Sequence, residues 1–131
     1  MNRYEIINTK DLYDELIDIQ DEIERLEDEY QDDTLTDDER IIVDRKIKDI
    51  LNDARYQALL GIEDELIGMV RNGENLISVD DFTAYMKENY NDMYGNIPDN
   101  LVMYIDWESL ANDIAQNNTV IDFDGNEYYI I

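Results

Sequence analysis

The feature that most constrains the fold is a heptad repeat in the first quarter of the chain. Its apolar side chains recur at alternating spacings of four and three residues, as in a helix with a single apolar seam: Leu12, Leu16, Ile19, Ile23, Leu26 and Tyr30. A polar stretch follows, and then Thr36 and Glu39 form the Thr-x-x-Glu capping box that opens a second helix. Because the connection is short, we expect the two helices to fold back as an antiparallel hairpin.

The rest of the chain predicts shorter elements. Residues 58–70 are densely apolar and predict a buried helix, interrupted near Gly61 and ended by Asn72-Gly73. Ser78 and Asp81 form a second capping box, which predicts a helix to about residue 91. Near the end, Asp124-Gly125 lies between alternating apolar residues, the strongest short-range signal for a β-hairpin.

These patterns predict a mostly helical α+β protein. An acidic antiparallel helical hairpin arm, residues 1–57, is expected to join a small module of short helices with a C-terminal β-hairpin, residues 58–131. Hydrophobic residues make up 44% of the chain, enough to form a core, so we expect it to fold despite its charge.

The charge of the chain is extreme. Thirty-four Asp and Glu against ten Lys and Arg give a formal net charge of −24, and without His it stays constant across physiological pH. Such a charge steers the protein toward basic surfaces and predicts that it binds neither nucleic acid directly nor a membrane. No apolar run approaches the roughly 20 residues of a membrane span, and residues 1–10 lack the apolar region of a signal peptide. We therefore expect a cytoplasmic protein.

Enzyme chemistry finds little support in the sequence. The chain contains no His, no Cys and no glycine-rich phosphate loop, which removes the familiar triads, zinc sites and thiol nucleophiles. The run 122–126 resembles the start of an EF-hand loop, but Gly125 is its fourth residue, whereas the calcium loop needs glycine at its sixth. We predict no catalytic, cofactor-binding or metal-binding residues and no enzymatic activity.

The acidic residues concentrate in the first helix and the turn after it. Residues 11–39 hold fifteen acids and one base, Arg25. Like-charge pairs four residues apart, such as Asp14/Asp18 and Glu24/Asp28, each cost roughly 0.2–0.5 kcal/mol, so stability does not explain the arrangement. Halophilic adaptation would spread acidity along the whole chain. A selected negative field, with the charge density of DNA phosphates, explains the arrangement better. The predicted DNA-mimic face comprises Asp11, Asp14, Glu15, Asp18, Asp21, Glu22, Glu24, Asp28, Glu29, Asp32, Asp33, Asp37 and Asp38.

Two further surfaces follow from the second half of the chain. No Lys or Arg occurs after Lys87, and this region supplies a second acidic face of Glu88, Asp92, Asp99, Asp106, Glu108 and Asp113. Aromatic residues near the C-terminus are expected mainly to supply the core of the module. Four of them also form the candidate face of a predicted homodimer: Tyr104, Trp107, Tyr128 and Tyr129.

Residues 78–131 also carry motifs of a known family. These are Tyr85-Met86-Lys87-Glu88-Asn89-Tyr90, Gly95-Asn96-Ile97-Pro98, Leu101, Tyr104-Ile105-Asp106-Trp107, Ala111-Asn112-Asp113 and Tyr129-Ile130-Ile131. In these motifs the segment resembles the C-terminal domain of the ArdA antirestriction proteins of plasmids, transposons and phages. The resemblance implies a mimic of bent B-form DNA that dimerises through this region and blocks type I restriction-modification enzymes. The family's two N-terminal domains have no counterpart here, because the acidic arm stands in their place.

Two functions follow as expectations. The first is a DNA-mimic inhibitor, encoded by a phage or mobile element, that occupies the DNA-binding groove of a host defence nuclease. A type I restriction-modification enzyme and a CRISPR effector are the candidate targets. The alternative is an acidic coiled-coil adaptor or regulator that uses the apolar seam of the first helix to bind a basic or helical protein partner.

Overall fold

The computed structural model describes residues 4–131, and contacts along the chain divide it into two compact units. We call Thr9–Gly73 the arm. The module combines residues 4–8 with Glu74–Ile131. This division differs from the boundary that the sequence suggested between residues 57 and 58, for two reasons. The helices after residue 54 pack on the first helix of the arm, and a strand before residue 9 pairs inside the module.

The arm consists of four helices: α1 (Thr9–Tyr30), α2 (Asp37–Leu51), α3 (Ala54–Gly61) and α4 (Glu63–Asn72). The predicted capping box at the start of α2 is confirmed. The Glu39 backbone N–H donates to Thr36 Oγ1 at 3.2 Å, and the Thr36 N–H donates to Glu39 Oε1 at 3.3 Å. The interruption at Gly61 and the stop at Gly73, which has a left-handed φ of 69°, are also as predicted.

The arm has its own apolar core. α1 packs against α2, α3 and α4, so its seam is covered by three helices rather than by one coiled-coil partner. The reason is the dense apolar content of residues 58–70, which the sequence analysis assigned to the other unit. The fully or nearly buried side chains of this core are Leu12, Leu16, Ile23, Leu26, Val43, Tyr56, Leu59, Ile62, Leu66 and Met69.

The module is built around a small antiparallel sheet. Its elements are β1 (Ile6–Ile7), β2 (Leu76–Ser78), a single 3₁₀ turn (Val79–Asp81), α5 (Phe82–Tyr94), α6 (Asp99–Val102), α7 (Trp107–Ala115), β3 (Val120–Phe123) and β4 (Asn126–Ile130). The strands lie in the order β1-β2-β4-β3. With four helices in the arm, this confirms the predicted mostly helical α+β class.

The C-terminal hairpin is confirmed. Asp124 and Gly125 both have positive φ, at 51° and 83°. Positive φ at both central residues is what a type I′ turn requires. The turn sets the register of β3 against β4, in which Ile121 lies opposite Tyr128. At the other side of the sheet, Ile7 pairs with Leu76, so the segment before the arm contributes a strand to the module.

The module core joins the sheet to its helices. The buried residues of this core are Ile77, Phe82, Met86 and Ala111. The ring of Tyr129 packs on that of Phe82, with the ring centroids 4.9 Å apart. The second predicted capping box is wrong in detail. Ser78 Oγ accepts from the Asp80 N–H at 3.3 Å, which opens a 3₁₀ turn, and α5 then continues to residue 94 rather than 91.

Candidate partner-binding surface

The density of carboxylates on α1 defines the candidate surface. Helix α1 carries ten Asp and Glu in 22 residues. At 1.5 Å per residue it is about 33 Å long, which places one carboxylate every ~3.3 Å along its axis. One strand of B-DNA carries one phosphate per ~3.4 Å. Eight of the ten side chains are exposed, and Glu15 and Glu22 are half-buried.

Few cations neutralise this helix. Arg25 contacts Glu22 at 2.6 Å and Glu29 at 3.5 Å, and its hydrogen bond lowers the pKa of Glu22 below the ordinary value. Arg55 Nε donates to Glu15 Oε2 at 2.9 Å. Within residues 4–131, the α1 carboxylates Asp14, Asp18, Asp21, Glu24 and Asp28 have no salt-bridge partner. These five are therefore available to a partner.

The turn after α1 uses its acids structurally. The backbone N–H and the hydroxyl of Thr34 donate to Asp32 Oδ1 at 2.9 and 2.7 Å, and these bonds lower the pKa of Asp32. Asp37 and Asp38 lie in the first turn of α2, where the helix dipole favours negative charge. Together with Asp33 they are exposed, so all three extend the acidic surface, although Asp37 and Asp38 also stabilise their own helix.

Helix α2 differs from α1 in its charge. Helix α2 carries Arg40, Arg45, Lys46 and Lys48, four of the ten bases of the chain, and Lys48 pairs with Asp44 at 2.9 Å. The exposed side of α2 is consequently mixed in charge. Of the two helices of the hairpin, α1 therefore carries the more negative surface, which is where the sequence also concentrates the acids.

The second acidic face belongs to three helices of the module. Its members, predicted from the sequence, are all exposed: Glu88, Asp92, Asp99, Asp106, Glu108 and Asp113. Asp106 has a structural role, since it caps α7 by accepting from the Ser109 N–H at 3.1 Å and the Ser109 hydroxyl at 2.9 Å. The backbone bond is the main reason that the pKa of Asp106 is lowered.

The four predicted dimer residues do not share one face. Tyr128 and Tyr129 are consecutive in β4 and therefore point to opposite sides of the sheet. Tyr129 packs on Phe82, and Trp107 packs on Tyr90 with ring centroids 5.7 Å apart. Only Tyr104 of the four is highly exposed, at 79%. A homodimer stays a prediction, with Tyr104 as its one predicted residue that is open to a second copy.

The structure adds a groove that the sequence analysis missed. It lies within the arm, encloses about 670 Å³, and is lined on the α1 side by Asp11, Asp14, Glu15, Asp18, Ile19 and Glu22. The other wall comes from α2 and α3 and contains Asp49, Ile50, Asp53 and Tyr56. The signal was available, because a hairpin that turns between residues 30 and 37 brings residues 49–53 opposite residues 14–18.

Metal clusters and membrane-spanning helices do not occur among the described residues. In residues 4–131, no three His, Cys, Asp or Glu side chains are grouped so that they could hold a metal ion. No helix in that part of the chain combines the length and the apolar character that crossing a membrane requires. Comparison with protein-family models, curated proteins and solved structures finds no match to the chain.

Proposed function

We propose that this protein is a DNA-mimic inhibitor. It presents α1 to the DNA-binding surface of a host defence nuclease in the bacterial cytosol and competes there with DNA. The observation that carries the proposal is the dense spacing of the α1 carboxylates, ten in 22 residues. Their axial spacing of about 3.3 Å is close to the phosphate spacing of one DNA strand. The ArdA-like motifs of residues 78–131 favour a type I restriction-modification enzyme as the target, and the basic channel of a CRISPR effector makes it the second candidate.

The mechanism is electrostatic competition. A line of exposed carboxylates on a rigid helix offers a basic groove the charges that phosphates would otherwise supply. The attraction accelerates association with a basic surface, and no chemical step is required. Because many carboxylates share the interaction, no single one dominates. Replacing one of Asp14, Asp18, Asp21 or Asp28 with Asn should weaken binding by about 1 kcal/mol or less.

The alternative function is an adaptor whose α1 seam forms a coiled coil with a partner helix. It is less well supported, because most of that seam is buried inside the arm. Of the six seam residues that would form such an interface, Ile19 is half-buried and Tyr30 is 41% exposed. The other four, Leu12, Leu16, Ile23 and Leu26, are at most 8% exposed. The arm's own helices already cover them. A partner helix would first have to displace α2, α3 or α4 from α1, at the cost of the arm's core.

The test is competition for DNA on purified nucleases. A labelled duplex is bound to a type I restriction-modification enzyme or to a CRISPR effector, and its fluorescence anisotropy is followed as the protein is added. We expect displacement by the wild type, weakening steeply as sodium chloride increases. The reversal variant Asp14→Lys/Asp18→Lys/Asp21→Lys/Asp28→Lys should lose displacement, mainly through slower association.

The matched control reverses the same number of charges on the module: Glu88→Lys, Asp99→Lys, Glu108→Lys and Asp113→Lys. It should displace DNA as the wild type does, and circular dichroism should report a folded chain for both variants. If the module variant loses activity and the arm variant keeps it, the mimic face lies on the second acidic surface. If the wild type displaces DNA from neither class of nuclease, the proposed targets are wrong.

A further inference from the structure

The groove of the arm combines two properties that a phosphate mimic alone does not need. Its apolar residues are the less accessible ones: Tyr56 is 6% exposed, and Ile19 and Ile50 are half-buried. The carboxylates around them are mostly exposed. A plain electrostatic decoy would need only the acids, so the apolar lining indicates a second kind of contact.

Three of the groove carboxylates are open to a partner. Arg55 and Arg25 engage Glu15 and Glu22, and Asp53 accepts from the Tyr56 N–H at 3.0 Å as the cap of α3. Among the described residues, however, Asp14, Asp18 and Asp49 have no ion-pair partner. Residues four apart on a helix, as Asp14 and Asp18 are, stand about 6 Å apart along its axis. Asp49 stands on the opposite wall.

Charge complementarity identifies the occupant. Carboxylates on both walls repel nucleic acid and acidic peptides and attract Lys and Arg. The apolar lining favours a side chain that brings aliphatic surface with it. An amphipathic helix with an aliphatic anchor and flanking cations satisfies both conditions. The groove, at about 670 Å³, is large enough for such an anchor.

We propose that this groove binds a basic amphipathic helix of a protein partner. An aliphatic side chain of that helix packs on Ile19 and Ile50, and its Lys or Arg residues pair with Asp14, Asp18 and Asp49. The inference rests on the proposed function in one respect, since it names the element of the basic target that the arm contacts.

The probes are two fluorescent 18-residue peptides of identical Lys and Leu composition. In one, the Leu residues follow the i, i+3, i+4, i+7 spacing of a helix with one apolar stripe. In the other, the order is scrambled and the charge is unchanged. At about 0.15 M sodium chloride the wild type should bind the amphipathic peptide about tenfold more tightly, as the burial of an aliphatic side chain predicts. Equal affinities for the two peptides would overturn the assignment, because charge alone would then explain binding.

Two sets of variants locate the binding. The triple variant Asp14→Asn/Asp18→Asn/Asp49→Asn should bind the amphipathic peptide at least about fivefold more weakly than the wild type does. The control variant Asp28→Asn/Asp33→Asn/Asp38→Asn makes the same charge change outside the groove. Its affinity for the amphipathic peptide should fall less than about twofold. Ile19→Ser/Ile50→Ser should abolish the preference between peptides while leaving the scrambled one unaffected, with circular dichroism as the folding control. Equal effects of the two charge triples would refute the groove.

The outcomes separate this inference from the proposed function. A protein that displaces DNA from a nuclease but does not distinguish the peptides refutes the groove assignment alone. A protein that distinguishes the peptides but displaces DNA from no nuclease refutes the proposed function and leaves the groove as a site for a different basic partner.

Discussion

Salt should stabilise this protein, and the structure sets the size of the effect. Of the like-charge pairs four apart in α1, Asp14/Asp18 and Glu24/Asp28 have no cation bound to either member within the described chain. Each such pair costs roughly 0.2–0.5 kcal/mol, so together they cost about 0.4–1 kcal/mol. The Debye length falls from about 30 Å at 0.01 M salt to about 3 Å at 1 M, which removes most of that repulsion.

The expected gain in the free energy of unfolding is therefore up to about 1 kcal/mol, or about 2–4 °C in Tm. The assay is urea unfolding followed by circular dichroism at several sodium chloride concentrations. Asp14→Asn/Asp18→Asn should be more stable than the wild type at low salt and should gain less from added salt. Asp33→Asn/Asp113→Asn, which neutralises two acids outside such pairs, is the control and should respond as the wild type does. A flat or falling response in the wild type would refute the reasoning.

Four more changes test the fold and the assembly. Leu16→Ala removes a fully buried side chain from the arm core. It should lower the free energy of unfolding by about 3–4 kcal/mol in urea titrations. Gly125→Ala places a side chain at a φ of +83°. It should destabilise the hairpin by about 1 kcal/mol, seen as a lower Tm. Asp106→Ala should destabilise α7 at neutral pH. The pKa of Asp106 is lowered in the folded state, so its contribution is complete above about pH 3.9 and lost as the pH falls through the lowered value. The variant and the wild type should thus converge in strong acid. Tyr104→Ser should shift the predicted dimer toward monomer in sedimentation equilibrium, whereas a monomeric wild type would end the dimer prediction.

The features predicted correctly from the sequence depend on neighbouring residues. The capping box at Thr36 and the turn at Asp124-Gly125 are each specified by a few adjacent side chains and one backbone geometry. Both therefore appear in the structure as expected. The stop at Gly73 belongs to the same class, since a left-handed residue after a helix needs only the glycine itself.

The features that were missed depend on residues distant in the chain. Strand β1 has two residues and pairs with β2 some seventy positions later in the chain. No pattern in the neighbouring residues predicts that pairing. The apolar density of residues 58–70 correctly predicted that this segment is buried. It did not show that the segment packs against α1 of the arm rather than against the module. The groove depends partly on such distant residues, because the predicted hairpin brings its two long walls together but Tyr56 comes from a third helix that no local pattern places there.

Because Ile7 pairs with Leu76, the arm is an insertion between two neighbouring strands of the module. Directly opposite residues of antiparallel strands lie about 5 Å apart, so the chain leaves the module and re-enters it at almost the same point. About 65 residues stand where a two-residue hairpin loop would suffice. The free-energy cost of closing a loop grows only with the logarithm of its length, by ~0.6 kcal/mol for each doubling. Insertions of very different length should therefore change the stability of the module by similar amounts. Transplanting the arm between the paired strands of an unrelated sheet, or exchanging it for an arm of another charge, would leave the host's hydrogen-bond ladder intact. The arm can thus be exchanged without rebuilding the sheet that carries it.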